Sequence, residues 1–326
     1  MFTKPRVAVL RGGPSSEYHV SLKTGATVLA NLSERYHPID VFIDLDGSWH
    51  VGGKREMPHA LLGKVDVVWN ALHGDFGEDG TVQRLLELHG IRFSGTKHLG
   101  AVFSLNKFLA KQLLEKEGIK TPFARLLRRE GVHAPEILAG ELHRTFPQPC
   151  VIKPVSKGSS IGVSIAETPN EISEALSAAL NISDNILVEE HIEGREAVCG
   201  VVEQFRGSPH YSLLPVEVVL PEGHRFFSFD ARYAENGKHR CPGNFSTEEK
   251  SELQRLAVDV HRLLGLRHYS RSEFIVHPKR GIFFIEADSL PELHKGVSPY
   301  LQSLQAVGAG LPEFVDHILT LALERK

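Results

Sequence analysis

The first hundred residues restrict the fold more than any other part of the chain. The compact apolar run Arg6–Leu10 closes on Arg11-Gly12-Gly13-Pro14, and a helix is predicted from about Val20 to Leu32, with Ser16 or Ser21 near its start. Strand, glycine turn and helix in that order are the opening of an α/β unit. Further apolar runs at Val41–Leu45 and Val65–Trp69, and a helix around Thr81–His89, repeat the alternation. They predict an open parallel sheet of about four strands over residues 1–95.

A chain of 326 residues is too long for one ordinary core and suits two or three units of roughly 100–150 residues. A second unit, residues 96–188, opens with a predicted helix Ser104–Glu117, whose Leu105, Phe108, Leu109, Leu113 and Leu114 form a stripe ending at Gly118. Strands Cys150–Lys153 and Val163–Ala166 flank the loop Pro154–Gly162 as a hairpin with a long tip. A helix at Asn170–Leu180 and a strand at Ile186–Ile192 complete an antiparallel α+β unit. The third unit, residues 189–326, has strand-like runs at Ala197–Phe205 and Ser212–Leu220 and a polar connector, the mobile loop 221–244. Helix Thr247–Leu264 presents Leu253, Leu256, Ala257, Val260, Leu263 and Leu264 on one face to cover a sheet. Strands Ser270–His277 and Gly281–Ala287 follow, joined by Pro278-Lys279-Arg280.

Lys and Arg number 37 against 40 Asp and Glu, a net charge of −3, so no global positive field exists to hold nucleic acid or an anionic membrane. Three scattered cysteines, Cys150, Cys199 and Cys241, form neither a disulfide framework nor a zinc motif. With no apolar window of roughly 18 residues, the expected location is cytoplasmic. The 18 histidines show no HExxH and no Cys/His cluster, and most are expected at the surface or behind other groups.

Three constellations carry chemistry. The hairpin tip Lys153-Pro154-Val155-Ser156-Lys157-Gly158-Ser159-Ser160-Ile161-Gly162 offers small residues, successive N–H groups and a fixed positive charge, which suit a triphosphate. Taken alone it reads equally well as a turn-rich surface hairpin, and it is no Walker loop. In the second, Glu286 and Asp288 lie two apart on one strand face, with Glu273 on the preceding strand, all among Phe274, Ile275, Phe283, Phe284 and Ile285. Three carboxylates in apolar surroundings repel one another, and a hard divalent cation, Mg²⁺ or Mn²⁺, relieves that repulsion. The third, Ile186–Glu196, is a strand ending in paired acids whose carboxylates and backbone could receive a nucleoside. The Arg11-Gly12-Gly13-Pro14 turn lacks GxGxxG spacing, which argues against a nicotinamide cofactor.

With these in place the chain resembles the ATP-grasp superfamily and, within it, the D-alanine–D-alanine ligase family along nearly its whole length. The carrying blocks are Arg11-Gly12-Gly13-Pro14-Ser15-Ser16-Glu17 with Val20-Ser21-Leu22, then Ala71-Leu72-His73-Gly74 with Gly77-Glu78-Asp79-Gly80, then Val151-Ile152-Lys153-Pro154 with Gly158-Ser159-Ser160-Ile161-Gly162. Later come Phe229-Asp230-Ala231-Arg232-Tyr233, Cys241-Pro242, Tyr269-Ser270-Arg271-Ser272-Glu273-Phe274 and Ile285-Glu286-Ala287-Asp288. The resemblance implies an α/β and α+β ATP-grasp architecture of three domains, with a Rossmann-like preATP-grasp domain first and ATP between the second and third.

It also implies a ligase that phosphorylates one D-alanine with ATP and lets the amine of a second displace the phosphate, for peptidoglycan precursor synthesis. Small-molecule substrates are then the partners, and a homodimer is compatible. By resemblance, Lys107, Lys153, Ser160 and Arg232 serve the nucleotide phosphates, Glu189, Glu190 and Ile192 the adenine-side hinge, and Glu196 the ribose. Glu273, Glu286 and Asp288 hold one or two Mg²⁺ or Mn²⁺ ions. Glu17 takes the donor ammonium, with His73 near the donor carboxylate. Ser159 and Tyr233 lock Glu17 and close the mobile loop, and Arg271 stabilises charge on the carboxyl as it becomes tetrahedral.

Three departures mark this sequence. Arg232 stands where the family has Lys, Asp288 where it has Asn, and Glu292-Leu293-His294 replaces a Gly-containing segment. The family's acceptor-binding Ser falls on Val297 by ungapped count. Either Ser298 and Lys295 take the acceptor carboxylate or the acceptor is not D-alanine. The competing readings are a related carboxylate–amine ligase with another acceptor and a nucleotide-binding homologue that has lost catalysis. Glu17, Lys153, Arg271 and the three acids argue against the latter.

Overall fold

The computed structural model describes residues 4–132, 134–158, 160–219, 238–294 and 298–324. Three sheets organise the chain. The first is built from β1 (Arg6–Gly12), α1 (Tyr18–Ala30), β2 (His37–Ile43), β3 (Trp49–Val51), β4 (Lys54–Glu56), α2 (Pro58–Leu62), β5 (Val67–Asn70), α3 (Thr81–Leu88) and β6 (Arg92–Phe93). Its strand order is β4-β3-β2-β1-β5-β6. The predicted four parallel strands are β2, β1, β5 and β6, and β3 and β4 add an antiparallel hairpin at one edge. Three-residue strands around Gly52-Gly53 are too short to carry a readable period. Both faces of the parallel part are covered, which explains its continuous apolar runs. Val7, Val9, Val67 and Trp69 face one way; Ala8, Leu10 and Val68 face the other.

The expected helix from Ser104 to Glu117 is two helices, α4 (His98–Leu105) and α5 (Lys107–Lys116). Asn106 breaks it by leaving helical dihedrals (φ −82°, ψ 95°) and restarting the chain as an N-cap, its Oδ1 accepting from Leu109 N at 3.0 Å. Such a cap satisfies an orphan donor at the new helix start. The buried face of α5 is Lys107, Ala110, Lys111 and Leu114, rotated from the predicted leucine stripe because two lysines find carboxylates beneath it.

The second sheet comprises β7 (Ala124–Arg128), β8 (Cys150–Pro154), β9 (Ser164–Ala166) and β10 (Asn185–Glu190), in the order β7-β10-β8-β9, with helices α6 (Pro135–Thr145) and α7 (Pro169–Leu180) on one face. Ile152, Ile186 and Val188 point to those helices. The alternate residues Val151, Lys153 and Glu189 therefore point the other way, into a cleft.

The third sheet has β11 (Arg195–Phe205), β12 (Ser208–Ser212), β13 (Val216–Val219), β14 (Lys238–Arg240), β15 (Tyr269–His277) and β16 (Gly281–Asp288), covered by α8 (Thr247–Leu263), with α9 (Pro299–Ala306) and α10 (Leu311–Glu324) closing the chain. The run expected as one strand from Ser212 to Leu220 is split between β12 and β13, where Leu213 N turns to Gly200 O and Pro215 cannot donate to a ladder. The connector expected to run as a loop to Asn244 ends earlier, since β14 pairs with β13; residues 220–237 lie outside the described residues. On α8 the buried residues include Leu253, Leu256, Ala257, Val260 and His261, whereas Leu263 is 39% exposed. The covering face is the predicted one, Leu264 included, except that His261 is buried in it and Leu263 is not.

The first and third sheets share a core. Trp69 of β5 stacks on Tyr269 at 6.1 Å, and Phe314 of α10 stands edge-on to Trp69, Tyr269 and Tyr300. The last helix thus serves as a covering layer for the first sheet. No single helix among the described residues is long and apolar enough to cross a membrane. Phe314→Ala removes the ring where these layers meet and is expected to cost about 3–5 kcal/mol of unfolding free energy, read by urea denaturation. A loss below about 1 kcal/mol would show that the cluster does not couple the layers.

Candidate active site

Between the second and third sheets lies a cavity of about 300 Å³, at the small end of the range for small-molecule sites. Lys107, Lys153, Ser160, Glu189, Glu190, Ile192, Glu196, Glu273 and Glu286 all line it, with Val151, Ile165 and Val198 as apolar wall. A second cavity of about 40 Å³ adjoins it, lined by Glu17, His73, Glu78, Gly158, Arg271, Asp288 and Glu292. Lys107 and Glu286 belong to both walls.

The cation side comes from α5 and β8. Lys153 Nζ lies 2.7 Å from Glu189 Oε2 and Lys111 Nζ 3.0 Å from Glu189 Oε1, all three side chains no more than 5% exposed. Burial pulls the Lys111 pKa down to about 8, although Glu189 opposes the change. Burial works against ionised Glu189 too, but its two lysines outweigh that and hold its pKa low. The Glu189 carboxylate is thus committed to two ammonium groups. Lys111 was not foreseen; its signal is its place four residues after Lys107, one helical turn along the same face. Lys107 itself, aimed inward by the break at Asn106, donates to Lys157 O at 2.6 Å and meets Glu286 Oε2 at 3.1 Å.

The anion side is the hairpin β15–β16. Glu273 pairs with Glu286 and Arg271 with Asp288 across the strands. A register shift between Glu273 and Phe274 leaves Ile285 as one extra residue on β16. In a regular strand Phe284 and Glu286, two apart, would share a face; the bulge turns Phe284 to the α8 core and Glu286 to the cavity. Arg271 Nη2 reaches Asp288 Oδ2 at 2.9 Å and Glu273 Oε1 at 3.3 Å. Burial weakens the guanidinium's hold on its proton, but Asp288, Glu273 and Glu286 more than restore it. An all-oxygen donor set with two acids directly opposite fits a hard divalent cation. In the structure Asp288 and Glu273 share the Arg271 guanidinium, and Glu286 meets Lys107.

The remaining wall comes from the carboxyl ends of the first sheet. Glu17 sits at the N-cap position of α1 without capping it, and Cβ atoms added at Gly74 (φ +68°) or Gly158 would stand 2.7 and 2.8 Å from its Oε2. Only glycine permits this approach at both points. His73 lies between Thr24 Oγ1 at 2.9 Å and Glu78 Oε1 at 3.2 Å, fully buried. Burial lowers the imidazole pKa, but Glu78, Glu17 and Asp288 together raise it to about 9. Burial and Asp288 raise the Glu78 carboxyl to about 8. The pair therefore holds its protons tightly, in keeping with so acidic a neighbourhood. In the sequence Glu78 stands out only as part of the block Gly77-Glu78-Asp79-Gly80. The hairpin tip is fastened across the site by an ion pair from Lys157 to Asp75.

Some expected residues stand elsewhere. Glu190 lines the cavity but also pairs with Arg280 at 2.8 Å. Ser298 lines neither cavity: it caps α9, accepting from Leu301 N at 3.2 Å, and donates to Glu292 O at 2.5 Å. Ser159, Arg232, Tyr233 and Lys295 lie outside the described residues.

Residues 6–61 and 53–96 match the family model described as D-ala D-ala ligase N-terminus, and residues 113–320 match D-ala D-ala ligase C-terminus. A D-alanine–D-alanine ligase of Geobacter sulfurreducens is 34% identical over 323 residues, covering 97% of this chain and 94% of that protein. The crystal structure of VanG D-Ala:D-Ser ligase from Enterococcus faecalis superposes with TM-score 0.85 at 26% identity, covering 98% of this chain and all of that one. That of D-alanyl-alanine synthetase A from Vibrio cholerae gives 0.84 at 25% identity over both chains in full.

Glu189→Leu strands two buried ammonium groups and is expected to cost about 3–5 kcal/mol. Lys111→Met, which leaves Glu189 its second lysine, is expected to cost less. Chemical denaturation of the two variants checks the order; the reverse order would contradict the pairing.

Proposed function

The chain belongs to the D-alanine–D-alanine ligase family, and from that premise we propose that it uses ATP to join two D-alanine molecules into D-alanyl-D-alanine through an acyl phosphate, for peptidoglycan precursor synthesis. One observation carries this reading: Lys107 and Lys153 of the central unit and Glu273 and Glu286 of the C-terminal hairpin line one cavity. Groups suited to a polyphosphate and groups suited to its counter-ion face each other across it. The division into units 1–95, 96–188 and 189–326 is part of the proposal, with Glu189 and Glu190, the end of β10, belonging to the second sheet.

The residues divide the work by charge. Lys107 and Lys153 receive phosphate oxygens, and Glu196 with the apolar wall of Ile192 and Val198 receives the nucleoside. Glu17 binds the donor ammonium, and His73, held between Thr24 and Glu78, lies toward the donor carboxylate. Arg271, its guanidinium fixed by Asp288 and Glu273, stabilises the oxyanion as that carboxyl is attacked. Bound at Glu273, Glu286 and Asp288, Mg²⁺ or Mn²⁺ supplies neutralisation of phosphate charge. Holding two anionic reactants in line is worth roughly 7–11 kcal/mol of the barrier.

Glu292 favours a second reading of the acceptor alone. It lines the smaller cavity where the family has glycine, and Ser298 is engaged as a helix cap. An acceptor other than D-alanine is therefore a competing substrate.

A coupled ADP assay with D-alanine, D-serine and D-lactate, products identified by mass spectrometry, separates these. D-alanyl-D-alanine as the main product is expected. A mixed product formed faster would move the assignment to the second reading, and ADP formation in no arm would end the ligase reading. Glu286→Gln is expected to lower kcat by roughly 10²-fold or more. Glu17→Gln is expected to act mainly on the donor KM. Near-normal turnover by Glu286→Gln would remove the metal assignment.

A further inference from the structure

We propose that Glu203, His210 and His261 form a binding site for a divalent transition ion of the Zn²⁺ class, on the face of the third sheet opposite the cleft. In β11 the odd residues Ala197, Cys199 and Val201 are buried against α8, and Glu203 is the next in that row, 8% exposed. His210 of β12 is its direct cross-strand partner, so both side chains leave the hairpin on the face α8 covers. On α8 the apolar stripe Leu253, Leu256, Ala257, Val260 is continued by His261, which is fully buried. Two polar residues thus interrupt two apolar rows at the same point, and the ligand atoms of all three lie within 4.8 Å of one another.

The hydrogen bonding of His261 is that of a metal ligand. Its Nδ1 lies 2.7 Å from Ser270 Oγ, which fixes the ring, and its Nε2 is buried with no hydrogen-bond partner. Nε2 stands 3.5 Å from Glu203 Oε1. Charge-assisted hydrogen bonds are shorter, about 2.7–2.9 Å. Two ligands on one tetrahedral ion at about 2.0–2.2 Å stand roughly 3.4 Å apart. The His210 ring lies edge-on to that of His261 at 5.7 Å. Two imidazoles and one carboxylate select a borderline ion such as Zn²⁺ over Mg²⁺, with the fourth position left to water. The ion would clamp the β11–β12 turn to α8. From the same turn, Glu203 O accepts from His317 of α10 at 2.7 Å.

The test is Zn²⁺ titration by calorimetry of the full chain, stripped with chelator and held in excess Mg²⁺ so that the cleft carboxylates are occupied. One equivalent is expected to bind and to raise the melting temperature. His210→Gln, which changes a partly exposed residue, should abolish both effects, and Ser270→Ala should weaken binding roughly 10–100-fold. Co²⁺ in place of Zn²⁺ should give a four-coordinate visible spectrum in the parent and none in His210→Gln. If the parent and His210→Gln bind Zn²⁺ alike, or neither binds, the cluster is a His–Glu ion pair only and the proposal is overturned.

Discussion

An ammonium group taken out of water costs several kcal/mol unless a carboxylate meets it, and Lys107, Lys111 and Lys153 are all taken out of water here. Each finds its acid on another element: Lys111 and Lys153 on Glu189 of β10, Lys107 on Glu286 of β16. These pairs join α5, β8, β10 and the C-terminal hairpin. They also set cations and anions on the two walls of one cavity. In the proposed function a polyphosphate entering with its counter-ion would offer each side a new partner of the required sign, so binding would exchange one set of charge pairs for another.

The third wall arrives by a different route. The first sheet is a parallel unit whose strand ends deliver Glu17 and His73, and it is held to the rest by the aromatic cluster around Phe314 and by the clasp from Lys157 to Asp75. The clasp lies at the glycine-rich tip and the aromatic cluster in a core. One fixes the relative position of the units, while the other brings a phosphate-suited loop over the Glu17 carboxylate.

Much of this was legible from residue order. Strand, glycine turn and helix gave the parallel unit, and the two-residue spacing of Glu286 and Asp288 placed both on the cavity side. What the residue order hides has a common physical origin: apolar periodicity registers only apolar residues. It points α5 toward its leucines, although ion pairs bury Lys107 and Lys111 more deeply than Phe108 or Leu109. On α8 it points to Leu263, where His261 is the buried residue. The break at Asn106 depends on one side-chain bond to Leu109 N, and the meeting of Glu203 with His261 depends on packing between elements distant in sequence. Neither leaves a periodic trace.

The extra residue in β16 bears on how this hairpin tolerates change in length. Phe284 and Glu286 face opposite ways, which plain alternation forbids with a single residue between them, and the strand absorbs the mismatch at Ile285. Shortening by that one residue would let the pleat run unbroken with Glu286 still across from Glu273. Lengthening by one would also restore the pleat, but would slide Glu286 along the partner strand until it stood across from Arg271. The kink therefore governs the station of the acids along the neighbouring strand, and hence which cation each of them answers.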